Sequence, residues 1–205
     1  LLTLHTTSIT MYRNKTMALN IVTAIQGTPV WKSSDTSVVS VNADGVLTAK
    51  KAGKALVFVT ADGKNGIASV TVKDPTIKLN TASVTTYVGK TYTLKATVTP
   101  TASISWKSEQ PSIAKIDAKG TITALKAGTT KISATANGVT ATCSISVKKP
   151  IVTLNKTSVT LYEKGSVTLK ATAYGKSQTV RWSSDNKAVA EVSSSGKITA
   201  KKAGT

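Results

Sequence analysis

The sequence is poor in the side chains on which most catalytic and metal sites depend. It has one His, His5, and one Cys, Cys143, among 205 residues. A single Cys rules out an internal disulfide, and a single His leaves no Cys–His set for zinc. The acidic residues number 9 and are scattered, whereas calcium needs clustered carboxylates. We therefore predict no catalytic residue, no cofactor and no metal ion, and so no enzyme, in these residues.

Two further shortages limit the partners. Aromatic residues make up 4%, and Arg13 and Arg181 are the only arginines among 27 basic residues that set a net charge of +18. Proteins that bind nucleic acid rely on Arg forks and stacking aromatics, so we predict no nucleic-acid partner. No apolar run reaches the ~18 residues that span a bilayer, and we predict no membrane insertion in this segment. The lysines are expected either to solvate strand faces or to attract an anionic polymer weakly.

What the sequence does contain is a threefold repeat. Trp31, Trp106 and Trp182 lie 75 and 76 residues apart, and each begins a similar segment that ends in Ala-Gly. Upstream, residues 4–12 align with residues 79–87 and 154–162. A period of this length predicts tandem copies of one small unit.

We place three modules at residues 1–74, 75–149 and 150–205. Each full module is large enough for one modest core. The third is expected to lack its last two strands, and the chain, which begins without Met, is expected to be a piece of a longer array. The joints are short and contain Pro75 and Pro150, which restrict the backbone, so we expect little contact between modules.

Apolar and polar residues alternate along each module. In the second, Tyr92, Leu94, Ala96 and Val98 alternate with Thr and Lys, as in a sheet with one buried and one wet face. About seven short strands per module, with turn signals between them, favour a sandwich. We therefore predict an all-β fold of tandem immunoglobulin-like β-sandwiches, the third incomplete.

Conserved spacing within the chain picks out a structural signature for the module. The three Trp are expected to pack in the cores. One set of Gly closes a tight hairpin that needs a left-handed residue, and a second set marks the following turn. The signature residues are Trp31, Trp106 and Trp182, the hairpin glycines Gly45, Gly120 and Gly196, and the turn glycines Gly53, Gly128 and Gly204.

The remaining polar candidates have structural interpretations. His5 lies where the other copies have Asn80 and Asn155, which indicates an exposed turn residue. Cys143 falls on a predicted buried strand position and is expected to act as a small core residue. Asp35 and Asp185 follow the Ser-Ser pair just after the Trp and are predicted to form Asx-type turns with local backbone.

The third copy closely resembles the group 2 bacterial immunoglobulin-like domain. The resemblance rests on Trp182-Ser-Ser-Asp185, Val189-Ala-Glu-Val192, Gly196-Lys-Ile-Thr-Ala200 and Ala203-Gly-Thr205. The first copy departs from it with Lys54 after Ala-Gly, and the second with Glu109-Gln-Pro111. The resemblance covers the whole chain and implies a spacer or adhesion module of surface proteins, wall-bound enzymes or phage tail proteins.

Two functions therefore stay open. One is a stalk that displays another domain on a bacterial cell or phage surface. The other is an adhesin-type module whose Lys-rich faces bind an anionic glycan, a cell-wall polymer or a host protein. Both imply an extracellular or cell-surface location, with the virion surface as the alternative, and neighbouring copies of the chain are a further candidate partner.

Overall fold

The structure, a computed structural model, describes residues 1–176 and 179–205. Within those residues it contains strands and turns but no helix, and thus no helix able to span a bilayer. This confirms the predicted all-β class. The chain forms two compact units, one of residues 1–78, 98–103 and 136–139, and the other of residues 79–97, 104–135 and 140–205.

The first module is a sandwich of two sheets. A four-stranded sheet has the order β1-β7-β6-β3, and a three-stranded sheet has the order β2-β5-β4. Alternating side chains of both sheets meet between them, where Leu19, Leu47 and Val57 are almost fully buried. The strands are β1 (Ser8–Tyr12), β2 (Thr16–Ala18), β3 (Val30–Ser33), β4 (Val39–Val41), β5 (Val46–Ala49), β6 (Gly53–Ala61) and β7 (Lys64–Lys73).

The second module repeats this arrangement. Its four-stranded sheet has the order β12-β15-β16-β9, its three-stranded sheet the order β10-β14-β13, and β8 pairs with β11. Leu94, Ile122 and Ile132 are almost fully buried between the sheets. The strands are β8 (Thr76–Leu79), β9 (Ser83–Tyr87), β10 (Thr91–Thr93), β11 (Ala96–Thr99), β12 (Ser105–Ser108), β13 (Ala114–Ile116), β14 (Thr121–Ala124), β15 (Gly128–Ala136) and β16 (Val139–Lys148).

In each full module, a strand near the start of the module runs parallel to the last strand. Five residue pairs join β1 to β7, from Ser8–Ser69 to Tyr12–Lys73. The same register joins β9 to β16 in the second module. In each full module, a strand near the start of the module, β1 or β9, therefore lies beside the last strand and points the same way.

One predicted strand is two strands in the structure. The alternating run through Tyr92 and Val98 breaks at Leu94 and Lys95, because β10 pairs with β14 in one sheet while β11 pairs with β8 in another. At the break, Leu94 donates its amide to the carbonyl of Gly120, and Lys95 donates its amide to Oδ1 of Asn80. Alternation alone did not reveal the change of sheet, since the inward face stays apolar through it.

The third module forms only its smaller sheets among the described residues. β17 (Ile151–Leu154) pairs with β19 (Ala171–Tyr174), and a three-stranded sheet has the order β18 (Ser166–Thr168), β21 (Lys197–Ala200), β20 (Ala190–Val192). Residues 158–162 and 181–184, which align with β9 and β12, form no strand. Their pairing partners in the second module are β16 and β15, and residues 150–205 contain no counterpart of either.

Candidate functional site

Each Trp ring lies against the Gly that closes the neighbouring hairpin. A Cβ added to Gly120 would lie 2.5 Å from the carbonyl oxygen of Leu94 and 3.0 Å from Cζ2 of Trp106. The first and third modules place the ring of Trp31 or Trp182 against Gly45 or Gly196 in the same way. The three rings are partly buried. The Trp and the hairpin Gly therefore form one packing contact in which the flat ring needs a residue without a side chain.

The second set of Gly lies against apolar side chains. A Cβ added to Gly53, Gly128 or Gly204 would approach the side chain of Val38, Ile113 or Val189 to within 2.7–3.0 Å. Gly53 and Gly128 are also the first residues of β6 and β15. All three positions therefore lie where a side chain would crowd a neighbouring apolar residue.

The first residue of each hairpin turn holds the turn through its side chain. Oδ1 of Asn42 accepts the amides of Asp44 and Val46, and Oδ1 of Asp117 accepts those of Lys119 and Thr121. The amide of Thr121 is the main cause that lowers the pKa of Asp117 below its ordinary value. Oγ of Ser193 accepts two amides of the third turn. Three different side chains thus supply the same oxygen acceptor.

The prediction for Asp35 and Asp185 is half right. Oδ1 of Asp35 accepts the hydroxyl and the amide of Ser37, at 2.6 and 2.9 Å, and the hydroxyl bond is the main cause that lowers the pKa of Asp35. In the third module the turn is formed by Asn186, whose Oδ1 accepts the amide of Ala188. Asn186 stands four residues after Trp182, as Asp35 does after Trp31, whereas Asp185 stands one residue too early.

The side chain of His5 accepts a hydrogen bond from the backbone, and the residue is exposed, as its alignment with Asn80 and Asn155 predicted. Its Nδ1 accepts the amide of Asn20 at 3.1 Å. Oδ1 of Asn80 and Oδ1 of Asn155 accept the amides of Lys95 and Lys170 at the aligned positions. Nδ1 of His5 therefore accepts the same backbone amide that an Asn side-chain oxygen accepts in the other two modules.

Cys143 is fully buried in the second core. Burial raises the pKa of its thiol, which disfavours the thiolate needed for nucleophilic or metal chemistry. Over residues 1–176 and 179–205, no group of three or more His, Cys, Asp or Glu side chains lies close enough to hold a metal ion.

The positive charge is little neutralised. In the part of the chain that the structure describes, the ion pairs are Arg13 with Asp74, where Nε lies 3.1 Å from Oδ1, and Lys201 with Glu191. Both pairs are exposed, so each contributes little to stability. Because an ion pair removes one charge of each sign, the whole net charge of +18 is available to solvent or to an anionic partner.

The joint between the second and third modules carries more contact than the short Pro-containing link predicted. The rings of Tyr87 and Tyr174 lie 5.3 Å apart between centroids, tilted by 31°, a favourable aromatic geometry. The amide of Lys176 donates to the carbonyl of Val88 at 3.2 Å. The repeat did not predict this contact, because the residue that aligns with Tyr174 in the second module is Thr99, which has no ring.

A groove of 590 Å³ opens beside the smaller sheets of the third module. Its apolar lining includes Leu161, Leu169 and Ile198. Val159 on its rim is 38% exposed, whereas Val84 at the aligned position in the second module is 8% exposed. In the second module, Leu94 and Ile122, which align with Leu169 and Ile198, pack in one core with Ile132 of β15 and Ile145 of β16.

The family model of the bacterial Ig-like domain (group 2) matches residues 75–147 and 150–205. The matched residues do not include 1–74, the copy that departs from the motif at Lys54, although this copy has the same strand order.

Two curated relatives and one solved structure illustrate the similarity. The chain is 36% identical over 116 residues to an uncharacterized protein of Clostridium acetobutylicum, covering 52% of this chain and 12% of that protein. It is 26% identical over 203 residues to ice-binding protein 1 of Shewanella frigidimarina, covering 88% of this chain and 23% of that protein. The chain thus spans less than a quarter of each relative. The I9–I11 tandem of titin is 13% identical with a TM-score of 0.49, covering 100% of this chain and 90% of that one.

Proposed function

Because this chain belongs to the bacterial Ig-like domain (group 2) family, we propose that its modules are structural spacers of a bacterial or phage surface protein. In this role they hold another domain away from the surface, outside the cell. The polar side chains that could carry chemistry, such as His5, Asp35 and Asp117, accept hydrogen bonds from backbone amides instead. Because these side chains are engaged in structural hydrogen bonds, a mechanical role is favoured over a catalytic one.

The parallel pairing of β1 with β7, and of β9 with β16, is the observation that carries the proposal. A pull on the two ends of the first module draws Ser8 at the start of β1 and Lys73 at the end of β7 in opposite directions. Because the strands are parallel, the pull loads all their hydrogen bonds together in shear. The antiparallel alternative would let the bonds open one after another. A module built this way resists extension, as a spacer under tension must.

Pulling the 205-residue chain by its ends in a force microscope tests the proposal. Two high-force events are expected, each releasing about 250 Å of chain for a module of this length. Residues 150–205 serve as an internal control, since no such parallel pair forms in their described part. If the first two modules extend at forces no higher than residues 150–205, the spacer proposal loses its support.

A matched pair of variants tests whether the hydrogen bonds between β1 and β7 resist the pulling force. The Arg13 amide donates to the Lys73 carbonyl at 2.9 Å, at the end of the β1–β7 pair. Arg13→Pro removes this donor together with the ion pair to Asp74, whereas Arg13→Ala removes only the ion pair. One high-force event is expected to weaken in Arg13→Pro and to persist in Arg13→Ala, while the event of the second module stays unchanged in both.

The charge favours an adhesin-type module as a second candidate. Lys-rich faces with few ion pairs would attract an anionic glycan or cell-wall polymer. Retention of the chain on immobilised dextran sulfate, with neutral dextran as the control, tests this role. Binding through dispersed lysines is expected to disappear by about 1 M salt, where the Debye length is about 3 Å. Equal retention on neutral dextran would contradict this role.

A further inference from the structure

The outer face of the four-stranded sheet in the first module carries a cluster of exposed apolar side chains. Val30, Leu56, Phe58 and Ile67 are 67%, 40%, 38% and 47% exposed, and we call these four residues the outer patch. Phe58 is the only Phe in the chain. It pairs directly with Ile67 across β6 and β7, and Leu56 lies on the same face of β6. Val30 lies opposite Thr60, which is two residues after Phe58 on that face, so the four residues share one face of the sheet.

The second module shows that the fold does not require this patch. At the aligned positions it has small or polar residues, and its four-stranded sheet forms with the same strand order. Scattered apolar residues on a surface need no explanation, whereas a contiguous group marks a contact site. The aligned residues of the second module are Ser105, Lys131, Ser133 and Thr142.

Two lysines flank the outer patch. Lys32 lies directly opposite Phe58 in the pairing of β3 with β6, and Lys54 lies on the outer face of β6 two residues before Leu56. Strand geometry puts their Cα atoms about 14 Å apart. Neither takes part in an ion pair within the described residues.

The acidic residues that follow the two long strands are already engaged. Oδ1 and Oδ2 of Asp62 accept the amides of Gly27 and Gln26. Asp74 pairs with Arg13. The face is therefore apolar at its centre and positive at its flanks.

We propose that the outer patch is a docking surface for a protein segment that presents apolar side chains between carboxylates. An apolar centre with a charged rim is the usual composition of a protein interface, and the spacing of Lys32 and Lys54 sets the spacing of the carboxylates. A second copy of this face would bring lysines against lysines. A membrane is a poorer match, because Leu56, Phe58 and Ile67 are less than half exposed and have little side chain to insert. This binding role goes beyond the spacer role and does not depend on it.

A pair of designed peptides tests the proposal on the full chain. One is a short cyclic β-hairpin with Leu and Val on one face and Glu at both ends of that face, and the other has Lys in place of Glu. In an NMR titration, the Glu peptide is expected to shift the amides of β3, β6 and β7 and to saturate, whereas the Lys peptide does not. Equal binding of both peptides, or shifts confined to other strands, would overturn the proposal.

Variants taken from the second module identify the contact residues. Phe58→Ser is expected to weaken the Glu peptide about tenfold or more, as for an aromatic at the centre of an interface. Should Phe58→Ser fail to fold, Ile67→Thr provides the same test with a milder change. Ser133→Ala, at the aligned position in the second module, is the control and should leave the affinity unchanged. Full affinity in the folded Phe58→Ser chain would refute the assignment.

Reversing the charge of the two flanking lysines distinguishes a charge-selective site from non-specific binding of apolar surfaces. With Lys32→Glu and Lys54→Glu together, preference is expected to switch from the Glu peptide to the Lys peptide. An unchanged preference would remove the charge complementarity on which the partner assignment rests. Sedimentation with phosphatidylglycerol vesicles tests whether the outer patch binds a membrane. Vesicle binding that is lost in Phe58→Ser would favour a membrane over a protein partner.

Discussion

Gly120→Ala and Gly138→Ala are expected to differ in cost although both place Ala at nearly the same backbone angle. The two glycines have φ of +81° and +76° and lie in the second module. A left-handed conformation costs an L-residue about 1–2 kcal/mol. Part of that cost is offset, because Ala also restricts the unfolded chain by about 0.4–1 kcal/mol. Backbone conformation alone thus predicts a loss of about 1 kcal/mol at each position.

Packing then separates the two variants. A Cβ at Gly138 meets nothing within 4 Å, whereas a Cβ at Gly120 would lie 2.5 Å from the Leu94 carbonyl oxygen and 3.0 Å from Trp106. The carbonyl cannot retreat freely, because the amide of Leu94 is bonded to Gly120 and its side chain is 1% exposed. Forcing an extra methyl group into a packed site costs about 1–3 kcal/mol. Gly120→Ala is therefore expected to lose about 2–4 kcal/mol in total.

Native-state hydrogen exchange measures the two losses in the full chain. Amides of β15, such as Ile132, report the opening free energy of the second module. Amides of β6 in the first module serve as the internal reference and should not change. Equal losses for Gly120→Ala and Gly138→Ala would refute the reasoning, since they would mean that the hairpin shifts away from the Trp ring at no cost.

Three further predictions concern single sites. Trp106→Ala should destabilise the second module by about 3 kcal/mol. This is the lower end of the range for a large aromatic residue, because the ring is only partly buried. A loss below about 1 kcal/mol in a denaturant titration would contradict the packing role of Trp106. Asp117→Asn should be milder than Asp117→Ala in thermal unfolding, since Asn42 makes the same turn bonds in the first module. The pKa of Asp117 is lowered in the folded state, so its carboxylate stabilises the fold above the unfolded pKa, and this stabilisation is lost as the pH falls through the folded pKa. The Asp117→Asn chain should therefore lose less stability in acid than the parent chain. If the stability of both chains falls equally with pH, the turn bonds of Asp117 are not the cause. In hydrogen exchange, residues 158–162 should be unprotected while residues 83–87 are protected, and equal protection would show that the third module completes its sheet by other means.

Much of the fold followed from the sequence because its signals are local and repeated. An Asn-Gly dipeptide is a strong hairpin signal, and Asn137 and Gly138 have positive φ in the turn between β15 and β16. Alternation predicted which side chains face the core. The equivalence of Asp35 with Asn186 was missed, because Asp185 has the expected residue type one position away from the turn.

The sequence by itself determined the all-β class, the repeat and the turn chemistry, since each depends on residue type at short or periodic spacing. Only the tertiary structure decided which strands pair, that β10 and β11 belong to different sheets, and that β1 and β9 run parallel to the last strands of their modules. It alone placed the Trp ring on the hairpin Gly and gathered Val30, Leu56, Phe58 and Ile67 on one outer face. Those contacts join residues distant in the chain, and hydrophobic alternation specifies which side chains are buried without specifying the neighbours that bury them.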